Sequence, residues 1–584
     1  MKRLIATTLA LLLLSWGVSL RAPAAPQHQI FHGGTIRTMA GDETVEAIYV
    51  RDGVIIATGS KAEIEALAPW NTKRVNLLGG TLVPGLIEPH THPLASAQLG
   101  AAVDVSGVSH ASRDEIMATL RRAASQRGLT PWIIAFGWDP AMLDPLPPPG
   151  LAELDAIAPE RPMIILTQMM HEAFANSAAL AAAGLGSTTP DPENGQFERD
   201  ADGNLTGRLI EISAIGQVMA AMPQAGDAAL NLLLNLQYDA YARAGYTTIG
   251  AASLVGNARD PLALVHGVAS QPRAPVSTVL YTAPARRDHA LELWAGQDAN
   301  TSLAGVKIWM DGSPFIGGAA LAGPYQRSHF TQDVLGLAPD WRGTLNYSQD
   351  AANALVLEAQ RGGYQIAIHA QGEAAIEMAL NAIEAAQTAA PDPMLHHRLE
   401  HLALITPAQI ERAARLGVSL GFFVDHVRFY GHILPDLVGP DRTARYMPVG
   451  DAFASGAVIT LHGDHPATPI DPMRTLATAI ERQPRQGGEL IGPDQRLNTQ
   501  QALEAMTINA ARQLELEAEI GTIEPGKRAD FTWLARDPLS LDAGDLRQLE
   551  VRGTWVAGRP VDTRMITLRH AGLVLRAIWS SLTT

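Results

Sequence analysis

The sequence predicts a mixed α/β protein whose body is a closed barrel of eight β/α units, accompanied by a small strand-rich unit split between the two chain ends. Three observations carry this. Short apolar runs recur at 80–87, 247–251, 276–282, 305–310, 364–370, 398–402, 418–424 and 457–462, dense enough for strands buried on both faces. Helical stretches such as 351–361 and 374–386 lie between most of them. Polar groups gather at the C-terminal ends of five of these runs, and that end of a parallel barrel carries the active site.

The remaining segments follow in order. Met1-Lys2-Arg3, an apolar run over 4–14 and Ala22-Pro23-Ala24 describe a secretory signal peptide over 1–24. The run is too short for a comfortable membrane span, so the mature chain is expected to start near Ala25 and to be periplasmic or secreted. Residues 30–36, 47–50 and 54–57 are β-rich, and Asp52-Gly53 is a tight hairpin signal. Strand-like 531–534 and 551–556 complete that unit, giving a composite domain of 25–82 and 510–563 around a barrel of 83–509. Residues 94–240 are too many for a loop and form an insertion after the first barrel strand. It contains strand-like 132–136 and 163–166, Ala-rich helices and a turn-rich region over 188–207. The tail, 564–584, reads as a terminal helix packed on the body.

Composition narrows the function. Of 584 residues, 44 are Lys or Arg and 59 Asp or Glu, a net charge of −15 that argues against a nucleic-acid partner. There is no cysteine, hence no disulfide, thiolate metal site, cysteine nucleophile or lipoprotein anchor. A metal would be held by His, Asp, Glu or a modified Lys. The sequence has no G-x-S-x-G elbow and no P-loop.

In Glu88-Pro89-His90-Thr91-His92-Pro93, two imidazoles follow a buried strand. Residues two apart on a strand point the same way, and such a pair suits a divalent ion such as zinc. Further groups of this kind follow at later strand ends: Lys307, His369, Glu400-His401 and His462-Gly463-Asp464-His465. Lys307 interrupts an apolar run, where an unpaired ammonium is costly. It is either a neutral or salt-bridged core lysine, or a carbamate formed with CO2, which is anionic and offers two oxygens.

Taken together, Pro84-Gly85-Leu86-Ile87-Glu88-Pro89-His90-Thr91-His92, Val306-Lys307-Ile308-Trp309-Met310-Asp311-Gly312-Ser313, Ala367-Ile368-His369-Ala370-Gln371-Gly372, Leu399-Glu400-His401 and Leu461-His462-Gly463-Asp464-His465-Pro466 resemble the amidohydrolase superfamily. Asn176 to Leu180, Asp200 to Gly207 and Gly521 to Asp530 match as well. The likeness is to the amidohydrolase-3 branch that includes N-substituted formamide deformylases, and it covers about 28–563. It implies a TIM-type (β/α)8 barrel with a composite β-sandwich, and one or two divalent metal ions, zinc foremost. By position His90, His92 and Asp464 would hold the first ion, His369 and His401 the second, and carboxylated Lys307 would bridge them. Two residues depart from the family pattern: Glu373, where an aspartate is commoner, and His465, where a small residue is usual and a histidine would crowd or contact substrate.

The chemistry so implied is hydrolysis of an amide, formamide or related non-peptide C–N bond in a small molecule, with Asp464 as general base. Ester, lactone or cyclic amide and urea hydrolysis are alternatives on the same site, as is a non-catalytic, metal- or ligand-binding regulatory barrel. Trp138, His171 and His426 are the candidate substrate contacts, with Phe422, Phe423, Phe429 and Tyr430 as further aromatic lining. No stable membrane span is expected after signal cleavage, and a homo-oligomer is compatible with this reading.

Overall fold

Eight parallel strands form the barrel: β1 (Leu86–Thr91), β2 (Tyr246–Ala252), β3 (Ser277–Thr282), β4 (Thr301–Trp309), β5 (Gln365–Ala370), β6 (Arg398–His401), β7 (Ser419–Phe422) and β8 (Ile459–Leu461). This computed structural model describes residues 26–562 and 572–574, apart from 42, 127–130, 144–145, 169, 171, 193–194, 224–225 and 295–299. The expected signal peptide therefore lies outside the described residues. So does the expected terminal helix, except for 572–574, which are helical.

The strands are hydrogen-bonded in the order β1 to β8, each parallel to the next. In β1, β2, β3 and β5 every residue is buried, which is why these strands read as unbroken apolar runs rather than alternating ones. Helices cover the outside. Gln349–Gly362 is capped by the Ser348 hydroxyl and ends at Gly363, and Glu373–Ala389 follows β5. Between β1 and β8, at the seam, side-chain and loop contacts replace the ladder among the described residues. The Gly463 N–H donates to the Glu88 carboxylate at 3.1 Å and the His92 N–H to the His465 carbonyl at 2.9 Å.

The two chain ends meet in one eight-stranded sheet, in which Phe531–Leu534 pairs antiparallel with Thr81–Pro84. Its first strand, His28–Arg37, pairs with Lys73–Asn76 along one half and with Thr81–Pro84 along the other. The changeover falls at Gly33-Gly34, where a Cβ on Gly34 would lie 2.2 Å from the Gly80 carbonyl. The next strands, Thr44–Arg51 and Val54–Gly59, are joined by Asp52 and Gly53, both at positive φ (49° and 82°) as a type I′ hairpin requires. The apolar run 80–87, read as one strand, is divided at Gly85: its first half belongs to this sheet and its second to the barrel.

The insertion has a mixed six-stranded sheet of its own, including Ile133–Trp138 and Met163–Thr167. The region 188–207 is more ordered than a turn-rich reading suggests. Gln196–Arg199 and Leu205–Ile210 form a hairpin turned over Asp200 to Asn204. Among the described residues, no helix is long and apolar enough to cross a membrane.

Candidate metal centre

The barrel's C-terminal face draws together His90, His92, Lys307, His369, His401 and Asp464. Asp464 Oδ1 lies 3.2 Å from His92 Nε2 and 3.5 Å from His90 Nε2, and Oδ2 lies 4.0 Å from His401 Nδ1. The rings of His90 and His401 are 4.8 Å apart, and those of His369 and His401 4.4 Å. His90, His401 and Lys307 are buried, whereas the side chains of His92, His369 and Asp464 keep 11, 10 and 15 % of their surface exposed. The cluster therefore opens to solvent on that side.

The protons on these rings follow from their partners. His90 Nδ1 is 2.6 Å from Glu400 Oε2. An ionised carboxylate only accepts, so Nδ1 carries the hydrogen and Nε2 is a bare lone pair. His369 Nδ1 donates likewise to Asp311 at 3.1 Å, and His92 Nδ1 to the Ser253 carbonyl at 3.4 Å. Asp311 is itself held by the N–H groups of Ala320, Gln371 and Gly372. The bare Nε2 atoms of His90 and His92 thus face an oxygen of Asp464, acceptor against acceptor. His90 Nε2, His401 Nδ1, Lys307 Nζ and Asp464 Oδ1 are buried with no hydrogen-bond partner in the protein. Such an arrangement is repulsive unless a cation lies between the groups. The residues present therefore fit one or two divalent ions.

Electrostatics agree. Burial lowers the pKa of His90 and His401 well below that of a free imidazole, so both are neutral and ready to ligate. Burial would raise Asp464, but positive charge beside it, carried by His92 and His90 when protonated or by a cation between them, outweighs that and keeps the carboxylate ionised. Burial pushes the Lys307 amine down to about 8, against the pull of Glu400 and Asp464. That brings the neutral amine, the form that reacts with CO2, within reach near neutral pH.

Local backbone geometry explains how β6 supplies two groups. His401 (φ 75°) and Leu402 (φ 56°) lie in the left-handed region, so strand alternation breaks there. Glu400 and His401, adjacent in the chain, both reach the surroundings of His90. Asp464, also left-handed (φ 49°), lies three residues beyond the end of β8.

The expected substrate contacts fare differently. His171 lies outside the described residues. Trp138 is not brought to the cluster. It is 1 % exposed in the insertion's own core, against Phe174 and beneath the Arg113 guanidinium, because its strand turns that face to the helices covering the insertion sheet. His426 is buried beside the cluster, with Nδ1 3.1 Å from the Tyr446 hydroxyl and its ring packed on Phe423 and Phe315. Burial takes its pKa down to about 3. Phe422, Phe423, Phe429 and Tyr430 are core residues. His465 does not point to the cluster's open side. It is enclosed by Glu88, Tyr241 and Tyr246, and its Nδ1 donates to the Thr468 carbonyl at 2.8 Å. Glu373 pairs with Arg442 at 2.7 Å.

Sequence alone assigns no role to Glu400, Asp311 or Glu88, although Glu400 stands among the polar strand-end groups. The available signal was a carboxylate inside or just after an apolar strand, one or two residues from an expected ligand for Glu400 and Glu88 and four residues after Lys307 for Asp311. The insertion also reaches the mouth: the Gln168 amide donates to the Ala467 carbonyl at 2.6 Å, three residues beyond Asp464.

Three comparisons bear on this geometry. A family model described as "Amidohydrolase family" matches residues 73–562. Putative amidohydrolase YtcJ of Bacillus subtilis (strain 168) is 28 % identical over 543 residues, 91 % of this chain and 99 % of that protein. N-substituted formamide deformylase of Arthrobacter pascens is 28 % identical over 535 residues, 90 % of this chain and 96 % of that protein. An uncharacterized metal-dependent hydrolase from Pyrococcus horikoshii OT3 shares the fold, with a TM-score of 0.70 and 24 % identity over 88 % of this chain and 99 % of that one.

Proposed function

The chain belongs to the amidohydrolase family, and on that premise we propose that it is an exported hydrolase of an amide, formamide or related non-peptide C–N bond in a small molecule. The observation that carries the reading is the pair of bare Nε2 atoms, on His90 and His92, facing Asp464 Oδ1 at 3.5 and 3.2 Å. A divalent ion, zinc foremost, supplies an activated water and a polarised carbonyl when bound. His90, His92 and Asp464 would hold one ion, His369 and His401 a second, with carboxylated Lys307 between them. Asp464, ionised and open on one side, accepts the proton of the attacking water and returns it to the departing nitrogen. The insertion, which meets the mouth through Gln168, would shape the entrance. The formamide choice is supported by the relative named a deformylase, and export by the residue pattern of 1–24.

The test is a hydrolysis screen of zinc- and manganese-loaded protein over N-substituted formamides, N-acyl amino acids and aryl esters. The expected result is amine release that a chelator abolishes and added metal restores. Turnover of esters alone would shift the reading to ester hydrolysis, and full activity without metal would sink it. Material from the host's envelope should begin near Ala25.

A further inference from the structure

We propose that Glu400, braced by Arg398, is a positioning residue that fixes the tautomer and direction of His90. The inference rests on the metal-site reading above and goes beyond it, because neither group belongs to the expected ligand set.

The geometry is specific. Glu400 Oε2 takes the His90 Nδ1 hydrogen at 2.6 Å, and both side chains are essentially without exposure. The other carboxylate oxygen, Oε1, accepts from Arg398 Nε. Arg398 Nη2 donates to the Pro89 carbonyl at 3.0 Å, the peptide immediately before His90. Arg398 therefore holds both Glu400 and the backbone of the residue that Glu400 orients. Its guanidinium lies over the Tyr281 ring at 4.8 Å, which fixes the far side. Strand β7 leaves room for this: a Cβ on Gly421 would lie 2.8 Å from Glu400 Oε2.

Stability alone is a weak reason for such a pair. Burying an ion pair recovers its desolvation cost only with excellent geometry, and an apolar replacement is often as stable. A hydrogen bond on Nδ1 does something an apolar residue cannot: it keeps Nε2 deprotonated and the ring aimed at Asp464. A ligand role for Glu400 is disfavoured because the Arg398 guanidinium on the same carboxylate would repel a cation placed there.

The test is zinc affinity, measured by competition with a chromophoric chelator, together with the visible spectrum of the cobalt-substituted protein. In Glu400→Gln one amide end must mismatch either His90 Nδ1–H or Arg398. The expected result is zinc bound about 10–100-fold more weakly, the usual scale for a ligand's outer partner, with an altered cobalt spectrum. Gly421→Ala retains every charge and displaces the carboxylate, so it should shift both readouts in the same direction by less, and it keeps the test open if Glu400→Gln does not fold. The melting temperature of each metal-free variant separates a folding defect from a ligand defect. A folded Glu400→Gln or Gly421→Ala protein with wild-type zinc affinity and an unchanged cobalt spectrum overturns the inference alone. A wild-type protein that takes up neither metal overturns the metal-site reading, and the inference with it.

Discussion

The sheet built from the two chain ends and the interior of the barrel each have a buried core, yet the two cores are filled in opposite ways. In the sheet, Phe31 meets Phe531 and Trp555 edge to face at 5.1 and 5.4 Å, within a cluster completed by Ile36, Ile48, Val50 and Ile55. In the upper barrel, Glu88, Lys307, Arg398, Glu400 and His462 are all without exposure, and several of their polar atoms have no partner. The first filling gains stability from every contact. The second opposes stability unless something completes it. The difference teaches where to look for chemistry: at the interior that is costly and left incomplete.

Lys307 is the most direct way to break that contrast. Lys307→Ala should lose at least one ion and lower kcat/KM by roughly 10³-fold or more, since a metal ion supplies several kcal/mol of charge stabilisation. Short carboxylic acids should partly restore both. Lys307→Arg cannot form the carbamate and should be as impaired as Lys307→Ala. An active, metal-replete Lys307→Arg protein would make the residue an ordinary core lysine and the barrel interior less special than it looks.

Asp464→Asn sharpens the contrast by separating metal binding from proton transfer. It keeps the shape and one ligand oxygen but cannot take a proton. Most of the metal should remain, while kcat/KM falls by about 10²–10⁴-fold, the usual share of general acid–base catalysis. Metal analysis and kinetics on one preparation decide it. Near wild-type turnover would hand the proton to another group, with buried His462 the nearest candidate.

Much of this organisation is legible in the sequence, for a physical reason. A parallel barrel strand is buried on both faces, so it is written as an apolar run, and a ligand at its end is written as the polar residue that stops the run. That is how His90, His92, His369, His401 and Asp464 could be found. Side-chain direction is less legible. Strand alternation would send Glu400 and His401 to opposite faces, and only the positive φ of His401 lets both approach His90. Likewise Trp138 reads as an aromatic near the site, but which face of the insertion sheet it occupies depends on tertiary packing. The hairpin over 196–210 is hidden because its first strand is short and mostly polar.

The sheet of the chain ends should respond in the opposite sense to the barrel interior. Phe31→Ala removes the ring that touches both Phe531 and Trp555 and should cost about 3–5 kcal/mol of stability, the range for a buried aromatic. Protein that remains folded should keep its metal content and kcat/KM. Denaturant titration followed by kinetics below the transition checks both. Loss of activity in fully folded Phe31→Ala would mean that the sheet contributes to the site and not only to stability.

The smallest expected effect concerns a buried carboxylate with no cation beside it. Asp139, in the insertion, is 5 % exposed and accepts the Tyr430 hydroxyl at 2.8 Å and the Ala141 N–H at 2.8 Å. Tyr430 stacks on Phe315 at 3.7 Å, so this one bond ties the insertion to the layer packed against His426. Glu400, also buried, is held well below the usual carboxylate range, because Arg398 and His90 outweigh its burial. Asp139 lacks such partners, and burial pushes it up to about 6 against its hydrogen bonds from Tyr430, Ala141 and Met142. For an acid whose pKa is higher in the folded state, the stabilisation is complete below the unfolded value, near 4, and is lost as pH rises through the folded value. By pH 7 the loss amounts to roughly 2–3 kcal/mol. Asp139→Asn retains an acceptor for Tyr430 and cannot ionise. Its stability relative to wild type should therefore climb between pH 4 and pH 7 and then level off. Urea titrations of both proteins at half-unit pH steps measure the difference. A flat difference would show that Asp139 titrates as an ordinary surface acid does, and that apolar packing, rather than this carboxylate, seats the insertion on the barrel.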